Sequence, residues 1–295
     1  MTPLISVVMP LFNAAGTLPL AFASLQAQTC EDWECVIVDD GSRDDPERII
    51  QAVSDSRIRY HRLDRNRGRG YARQHALNLS QGKYLTFLDA DDWIYPDKFQ
   101  GQVELLEAEP DLAIVSTGMA ISNTSDQLVG MRNASDDELV FRSSMKTPGM
   151  PPLAFAPSMM VAELAKKTGF DTSFPIAEDA DFLLRALLGR RYAILPTSLY
   201  VYREQGSTTL HKVSSALNYC CRMFQKQFKQ YPVDSAIEMA KARGKQIIYH
   251  SAASLGLWDY MIARRSRIPN AADYRQFQTA WGAISTIASG YALTV

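Results

Sequence analysis

What most constrains this chain is a rhythm in its first half, where short apolar, β-branched runs alternate with helix-length amphipathic segments. The apolar runs fall at residues 5–9, 35–38, 58–62 and 84–88, and the amphipathic segments at 17–28, 46–53, 71–79 and 96–107. Such alternation predicts βαβ units, a mostly parallel sheet and helices on both faces. The runs are continuously apolar rather than alternating, as burial on both sides requires. A further strand is expected over 112–119. The fold class is therefore α/β, Rossmann-like, and 295 residues suffice for one large domain with an extension.

Polar character takes over from 123 to 150, which predicts surface loops around a short strand near 139–141. Residues 158–167 read as helix, a second helix opens near Glu178 and runs to about Leu188, and 192–202 read as a last strand or strand pair. Beyond Ser214 the pattern is helical, with Leu217, Cys221, Phe224 and Phe228 at three- and four-residue spacing. The expected division is a catalytic unit over 1–213 and a helical extension over 214–295.

Thirty-one basic and thirty-two acidic residues leave a net charge of -1, without the global field that draws nucleic acid. Cys30, Cys35, Cys220 and Cys221 lack zinc spacing, and the last two are sequence neighbours poorly placed to bridge each other. A reducing, cytoplasmic setting is expected. The N-terminus lacks a basic n-region, is broken by Pro10 before an apolar signal region could develop and reads as a first strand, and no window has the length of a membrane span. Basic, aromatic segments at 222–229 and 264–267 suit peripheral contact with an anionic membrane, with Arg264, Arg265 and Arg267 as the candidate contacts. Solvated helix faces over a packed stripe are the alternative.

The ends of the strands carry the chemistry. The first ends in Pro10, Leu11, Phe12 and Asn13, the second in Asp39, Asp40, Gly41 and Ser42, and the fourth in Asp89, Ala90, Asp91 and Asp92. In a parallel sheet these ends share one rim, where open α/β sheets bind their ligands. Each alone is also good turn chemistry. Acids crowded together repel unless a cation or hydrogen-bonding ligand joins them, and clustered carboxylates are the hard oxygen ligands that Mg²⁺ or Mn²⁺ takes.

These motifs together resemble the inverting glycosyltransferases of family 2, with the GT-A fold, over about residues 4 to 210. The resemblance rests on Pro10 to Asn13, Val38 to Ser42, the basic segment Asn66 to Arg73, Asp89 to Asp92, and Glu178-Asp179 after Gly169-Phe170-Asp171. It implies transfer from a nucleotide-sugar, a UDP-sugar, to the hydroxyl of a saccharide or lipid-linked saccharide acceptor, in surface or exopolysaccharide assembly. Pro10 and Phe12 would lie against the nucleotide base, Asn13 would belong to the donor site, and Asp40, with Asp39 beside it, would accept a hydrogen bond from the uracil ring nitrogen. Arg73 would contact the nucleotide, at its diphosphate or base, and Arg203 would reach the diphosphate. Asp89 would lie near the ribose or donor sugar, while Asp91, with Asp89 and His211, would hold Mg²⁺ or Mn²⁺. Asp179 would be the general base, Glu178 an acceptor-site residue and Asp181 the competitor. Asp92 is expected to cap the following helix or order its loop.

Two rivals stand beside this reading. A sugar-1-phosphate nucleotidyltransferase wants a glycine-rich loop after the first strand, which 11–17 lacks. A non-catalytic nucleotide-sugar-binding protein predicts donor binding without turnover.

Overall fold

The computed structural model describes residues 2–133, 139–204 and 208–292. The expected alternation is present: β1 (Ile5–Leu11), α1 (Leu18–Gln26), β2 (Trp33–Asp39), α2 (Pro46–Val53), β3 (Ile58–Arg62), α3 (Arg69–Leu79), β4 (Tyr84–Phe87), β5 (Trp93–Ile94) and α4 (Lys98–Ala108). There follow β6 (Leu112–Ser122), β7 (Leu128–Arg132), β8 (Phe141–Met145), β9 (Met159–Val161), α5 (Ala162–Thr168), α6 (Glu178–Leu187) and β10 (Arg190–Arg203). Four helices close the order: α7 (Leu210–Gln227), α8 (Pro232–Ser254), α9 (Trp258–Ala263) and α10 (Ala271–Ala292).

The strands form one sheet in the order β3-β2-β1-β4-β9-β6-β10-β5, with β7 beside β6 and β8 beside β10. β3, β2, β1 and β4 pair in parallel, as do β6 and β10. From β1 the chain moves outward to β2 and β3, then returns on the other side of β1 as β4. The C-terminal ends of β1 and β4 therefore part at a topological switch point, and a crevice opens there.

Successive residues of the central strands serve opposite faces, as the two-residue period of a strand dictates. Val8, Val36, Val38, Leu85 and Phe87 pack under α3, α5, α6 and α7, while Val7, Met9, Cys35 and Ile37 pack against α1 and α4. A third cluster joins Phe277, Ala280 and Ile284 of α10 to Trp93 and Val201.

Three expectations need correction. Residues 158–167 are not helical throughout, because β9 runs antiparallel between β4 and β6 before α5 begins. Its two methionines are fully buried, but three residues are too few to show a period. The polar stretch after Asn123 holds a strand, β7, that pairs with β6, and the strand expected near 139–141 is β8, beginning at Phe141. The buried stripe of α7 is Cys220, Met223 and Phe224, whereas Phe228 is exposed.

One buried polar tie crosses the layers. Lys98, at the start of α4, is wholly buried and donates Nζ to Thr86 Oγ1 of β4 at 2.7 Å and to Gln102 Oε1 at 2.8 Å. Gln102 in turn donates Nε2 to Val115 O and Pro157 O. Desolvation pushes the Lys98 ammonium down to about 7. Between that value and its ordinary 10.5 the unfolded chain holds the extra proton, so Lys98 makes folding more favourable as pH rises through this window. Lys98→Met removes that dependence. Its stability advantage over the wild type should be largest below pH 7 and shrink by a few kcal/mol toward pH 10, in urea unfolding at pH 6, 8 and 10. A difference constant across pH would refute the buried-charge account.

Candidate active site

The crevice at the switch point is a cleft of about 420 Å³. The turn after β1 gives Pro10, Leu11, Phe12 and Ala14, and the end of β2 gives Asp40. The loop into α3 gives Asn66, Gly68, Arg69 and Ala72, and the end of β4 gives Asp89, Ala90 and Asp91. Pro175 and Tyr202 complete the wall. Of the expected residues, Pro10, Phe12, Asp40, Asp89 and Asp91 therefore come together. Phe12 presents to the cleft an apolar ring that is 48% exposed.

Asp40 is nearly buried, and both its oxygens are engaged. Oδ1 accepts from Arg67 N at 2.6 Å and Oδ2 from Gly68 N at 2.8 Å. The amides of the loop before α3 thus fold that loop onto Asp40. Gly41 permits that approach: its φ is +77°, and a Cβ there would lie 2.9 Å from Arg65 C and Asn66 N.

Asp39 and Asn13 lie outside the cleft and build its frame. Asp39 is wholly buried, accepting from Ser42 N at 2.8 Å and from the Tyr60 hydroxyl at 2.7 Å. Asn13, at a φ of +50° that asparagine tolerates, accepts from Arg43 N and donates its own N–H to Ser42 Oγ. The ends of β1 and β2 are stitched together in this way.

Arg73 does not reach the cleft surface. It is 1% exposed, donating to Glu178 Oε1 at 2.8 Å and to Asp89 Oδ1 at 2.7 Å, with Phe155 stacked 4.7 Å from its guanidinium carbon. Glu178 is also wholly buried and takes a second arginine, Arg69 Nε, at 2.7 Å. It positions these cations and is not open to an acceptor. Arg69, one turn ahead of Arg73 and half-exposed, is the guanidinium at the cleft wall, a role that sequence reasoning assigned to Arg73. Burial works against its charge, and Glu178, Asp89 and Asp179 sustain it.

The acids at the end of β4 have divergent electrostatics. Burial opposes ionisation of Asp89, yet Arg73 and Arg69 hold its carboxyl below the ordinary value. Burial, with Asp89 beside it, pushes Asp91 up. Asp92 is pushed up furthest, by burial and then by Asp91 and Asp89. Its oxygens accept from the Tyr200 hydroxyl at 2.6 Å and Arg203 N at 2.8 Å, so it fastens β10 to the loop rather than capping α4.

Arg203 turns away from the cleft to Asp126, at 3.0 Å, and to Thr124 O. Strand alternation sends its neighbour Tyr202 to the cleft instead, a signal available in the sequence but not used. Burial and the Asp92 and Asp91 carboxylates push the Tyr202 phenol up to about 12, leaving it a neutral donor. Asp179, half-buried in the first turn of α6, accepts from Ala180 N. Asp181 is wholly buried and paired with Arg185 at 2.7 Å, so it is a structural acid. His211 is exposed at the start of α7, and Gln205, Gly206 and Ser207 of the segment before it lie outside the described residues. Among the described residues no three acid, histidine or cysteine side chains gather as a metal cage, so His211 does not join Asp89 and Asp91.

This sheet, with acids and an arginine at its switch point, is that of a glycosyltransferase of GT-A fold. The chain belongs to glycosyl transferase family 2, whose sequence model matches residues 6–166. It is 30% identical over 220 residues to the succinoglycan biosynthesis protein ExoO of Rhizobium meliloti, covering 70% of this chain and 62% of ExoO. It is 33% identical over 103 residues to the UDP-Glc:alpha-D-GlcNAc-diphosphoundecaprenol beta-1,3-glucosyltransferase WfgD of Escherichia coli, covering 35% and 41%. The fold matches S. aureus TarS 1-349, solved with UDP, at a TM-score of 0.66 and 16% identity, covering 96% of this chain and 80% of TarS 1-349. It also matches the mannosyltransferase PcManGT of Pyrobaculum calidifontis, solved with GDP-Man and Mn²⁺, at 0.58 and 16%, covering 99% and 87%. At such identities the likeness to the solved structures is one of fold.

Removing one member of a buried ion pair leaves its partner's charge uncompensated. Glu178→Leu should therefore cost about 3–5 kcal/mol in urea unfolding, and Arg73→Met/Glu178→Leu less than that single change. A loss in the double variant equal to the sum of the two single losses would show that the pair is not electrostatically coupled.

Proposed function

We propose that this chain is a metal-dependent, inverting glycosyltransferase that moves a sugar from a UDP-sugar to a hydroxyl of a lipid-linked saccharide, in surface or exopolysaccharide assembly. The observation that carries the proposal is the cleft itself. An exposed aromatic ring, an anchored carboxylate, a half-exposed arginine and a pair of acids line one crevice at the switch point. The UDP held by TarS supports the donor, and the acceptor named for WfgD supports the lipid-linked saccharide. ExoO, named for succinoglycan biosynthesis, supports the polysaccharide role.

In this reading Phe12 and Pro10 offer apolar surface to the base. Asp40, whose oxygens each keep a second lone pair, accepts from the ring N–H. Arg69 meets the diphosphate as a planar fork. Asp91 and Asp89 would hold Mg²⁺ or Mn²⁺. The raised carboxyl of Asp91 beside ionised Asp89 is an excess of negative charge that a divalent cation relieves, and such ions complete their shell with substrate phosphates rather than an all-protein cage. The Mn²⁺ in PcManGT agrees with that fit. When bound, the cation would neutralise the charge that develops on the diphosphate.

The acceptor oxygen attacks the anomeric carbon on the face opposite the diphosphate. The new glycosidic C–O bond forms as the C–O bond to phosphate breaks, and the acceptor proton passes to a base. Asp179 is assigned that role, being half-buried and near enough to Arg69 to act on its charge. Asp181, spent on Arg185, is unsuited to it. The division into a catalytic unit over 1–213 and a helical extension over 214–295 belongs to the same proposal.

Nucleotide release from a panel of UDP-sugars with Mn²⁺ or Mg²⁺ tests the reading. Asp91→Ala should lower turnover more than about 100-fold, and chelation should abolish it. Full activity of Asp91→Ala in EDTA would remove the cation from the account.

Asp179→Asn should keep donor affinity close to wild type while kcat falls by roughly 10² to 10⁴. Donor binding without any release in the wild type would favour a sensor. Wild-type kcat in Asp179→Asn would place the base elsewhere.

A further inference from the structure

The C-terminal helices carry a surface that the fold leaves uncovered. Of seventeen exposed large hydrophobic side chains among the described residues, ten fall between Phe228 and Tyr274. In α8 the residues buried against its neighbours are Ser235, Ala242 and Ala252. On the opposite side Val233, Ile237, Ile248 and Leu255 recur at intervals of four, eleven and seven, a spacing that keeps to one face of a straight helix. Val233, Ile247, Ile248 and Leu255 are between 56% and 72% exposed, and Leu257 and Tyr260 of the next segment are open as well.

Charge shows what suits this face. The residues after Thr209 include eleven basic and four acidic side chains, a net of +7, against twenty basic and twenty-eight acidic before them, a net of -8. Lys241, which reaches Glu238 at 2.6 Å but stays largely exposed, flanks the apolar face of α8 together with Arg243 and Lys245. Apolar side chains between basic flanks match the interface of an anionic bilayer, where the apolar face sinks about 5–10 Å and the cations meet headgroup phosphates. A second copy fits less well, since symmetric pairing would set this positive region against itself. Nucleic acid offers nothing to valine, isoleucine and leucine. No helix among the described residues is long and apolar enough to cross a membrane, so α8 would lie in the plane.

We infer that α8 and the start of α9 form an in-plane docking surface for anionic lipid. The surface differs from the arginines singled out in the sequence: Arg267 is paired with Asp273, and Arg264 lies over the Tyr260 ring. It is fixed to the chain leaving β10, because Trp258 Nε1 donates to Thr208 O at 3.0 Å and Gln246 Nε2 to Ser214 Oγ at 2.6 Å. β10 ends beside the cleft at Tyr202, so docking sets the height of the cleft above the bilayer. The inference deepens the reading of a lipid-linked acceptor and rests on it for its purpose, but binding is measured without turnover.

The test is flotation of the full chain with phosphatidylglycerol-containing and pure phosphatidylcholine vesicles. Anionic vesicles should capture the wild type, and phosphatidylcholine vesicles should not. Ile247→Asp/Ile248→Asp should weaken capture tenfold or more. Neutralising Lys241, Arg243 and Lys245 to Gln should weaken it about fivefold per charge, with salt acting in the same direction. Unchanged unfolding temperatures check that these exposed substitutions leave the fold intact. Equal capture of wild type and variants overturns the inference. So does a lipid-free dimer in sedimentation that the two aspartates dissolve, which would make a second copy the occupant.

Discussion

A guanidinium buried under the floor of the cleft organises the rest of the structure. Arg73 is closed off from water between Glu178 and Asp89, and a cation in that position is tolerable only with both partners in place. One side chain thereby ties α3 to the first turn of α6 and to the end of β4, segments far apart in sequence. Asp89 keeps its charge because of this partner, and Asp91, without one, is left with the strain of a like-charged neighbour. The electrostatics of the rim are thus set by a pair, Arg73 and Glu178, buried beneath it.

The same logic recurs at the neighbouring acids. Asp39, Asp40 and Asp92 are nearly or wholly buried, and each is held by at least two hydrogen bonds from the protein. Asp92 locks β10, Asp39 locks the turn after β2, and Asp40 locks the loop before α3. A rim that looks like a cluster of functional carboxylates divides into acids that fasten loops together and a smaller set, Asp89 and Asp91, facing the space between them.

Sequence periodicity revealed the layered sheet because the parallel strands are long enough and apolar on both faces. It did not reveal β9, whose three residues carry no period, or β7, whose polar surroundings conceal Leu128 and Met131. The motifs located the cleft through Pro10, Phe12, Asp40, Asp89 and Asp91. Choosing between Arg69 and Arg73 was beyond them, since residues four apart share a helix face and only tertiary packing decides which lies beneath. Tyr202 and Arg203 were decidable, because neighbours in a strand point opposite ways. The charge contrast between the two parts of the chain was also present in the residues and was masked by a whole-chain sum close to zero.

The antiparallel strand β9 has a consequence for how the chain acquires this structure. β4 and β6 sit on either side of it, so among the described residues the strand ladder passes from one part of the sheet to the other through residues 159–161. During synthesis β1 to β4 can assemble from nearby segments, but the exposed edge of β4 stays unpaired until Val161 emerges. Joining the halves depends on distant contacts, which form slowly, and an open hydrophobic edge is where nascent chains associate wrongly. The shortest of the strands lining the sheet centre is therefore the one whose pairing closes the exposed edge of β4.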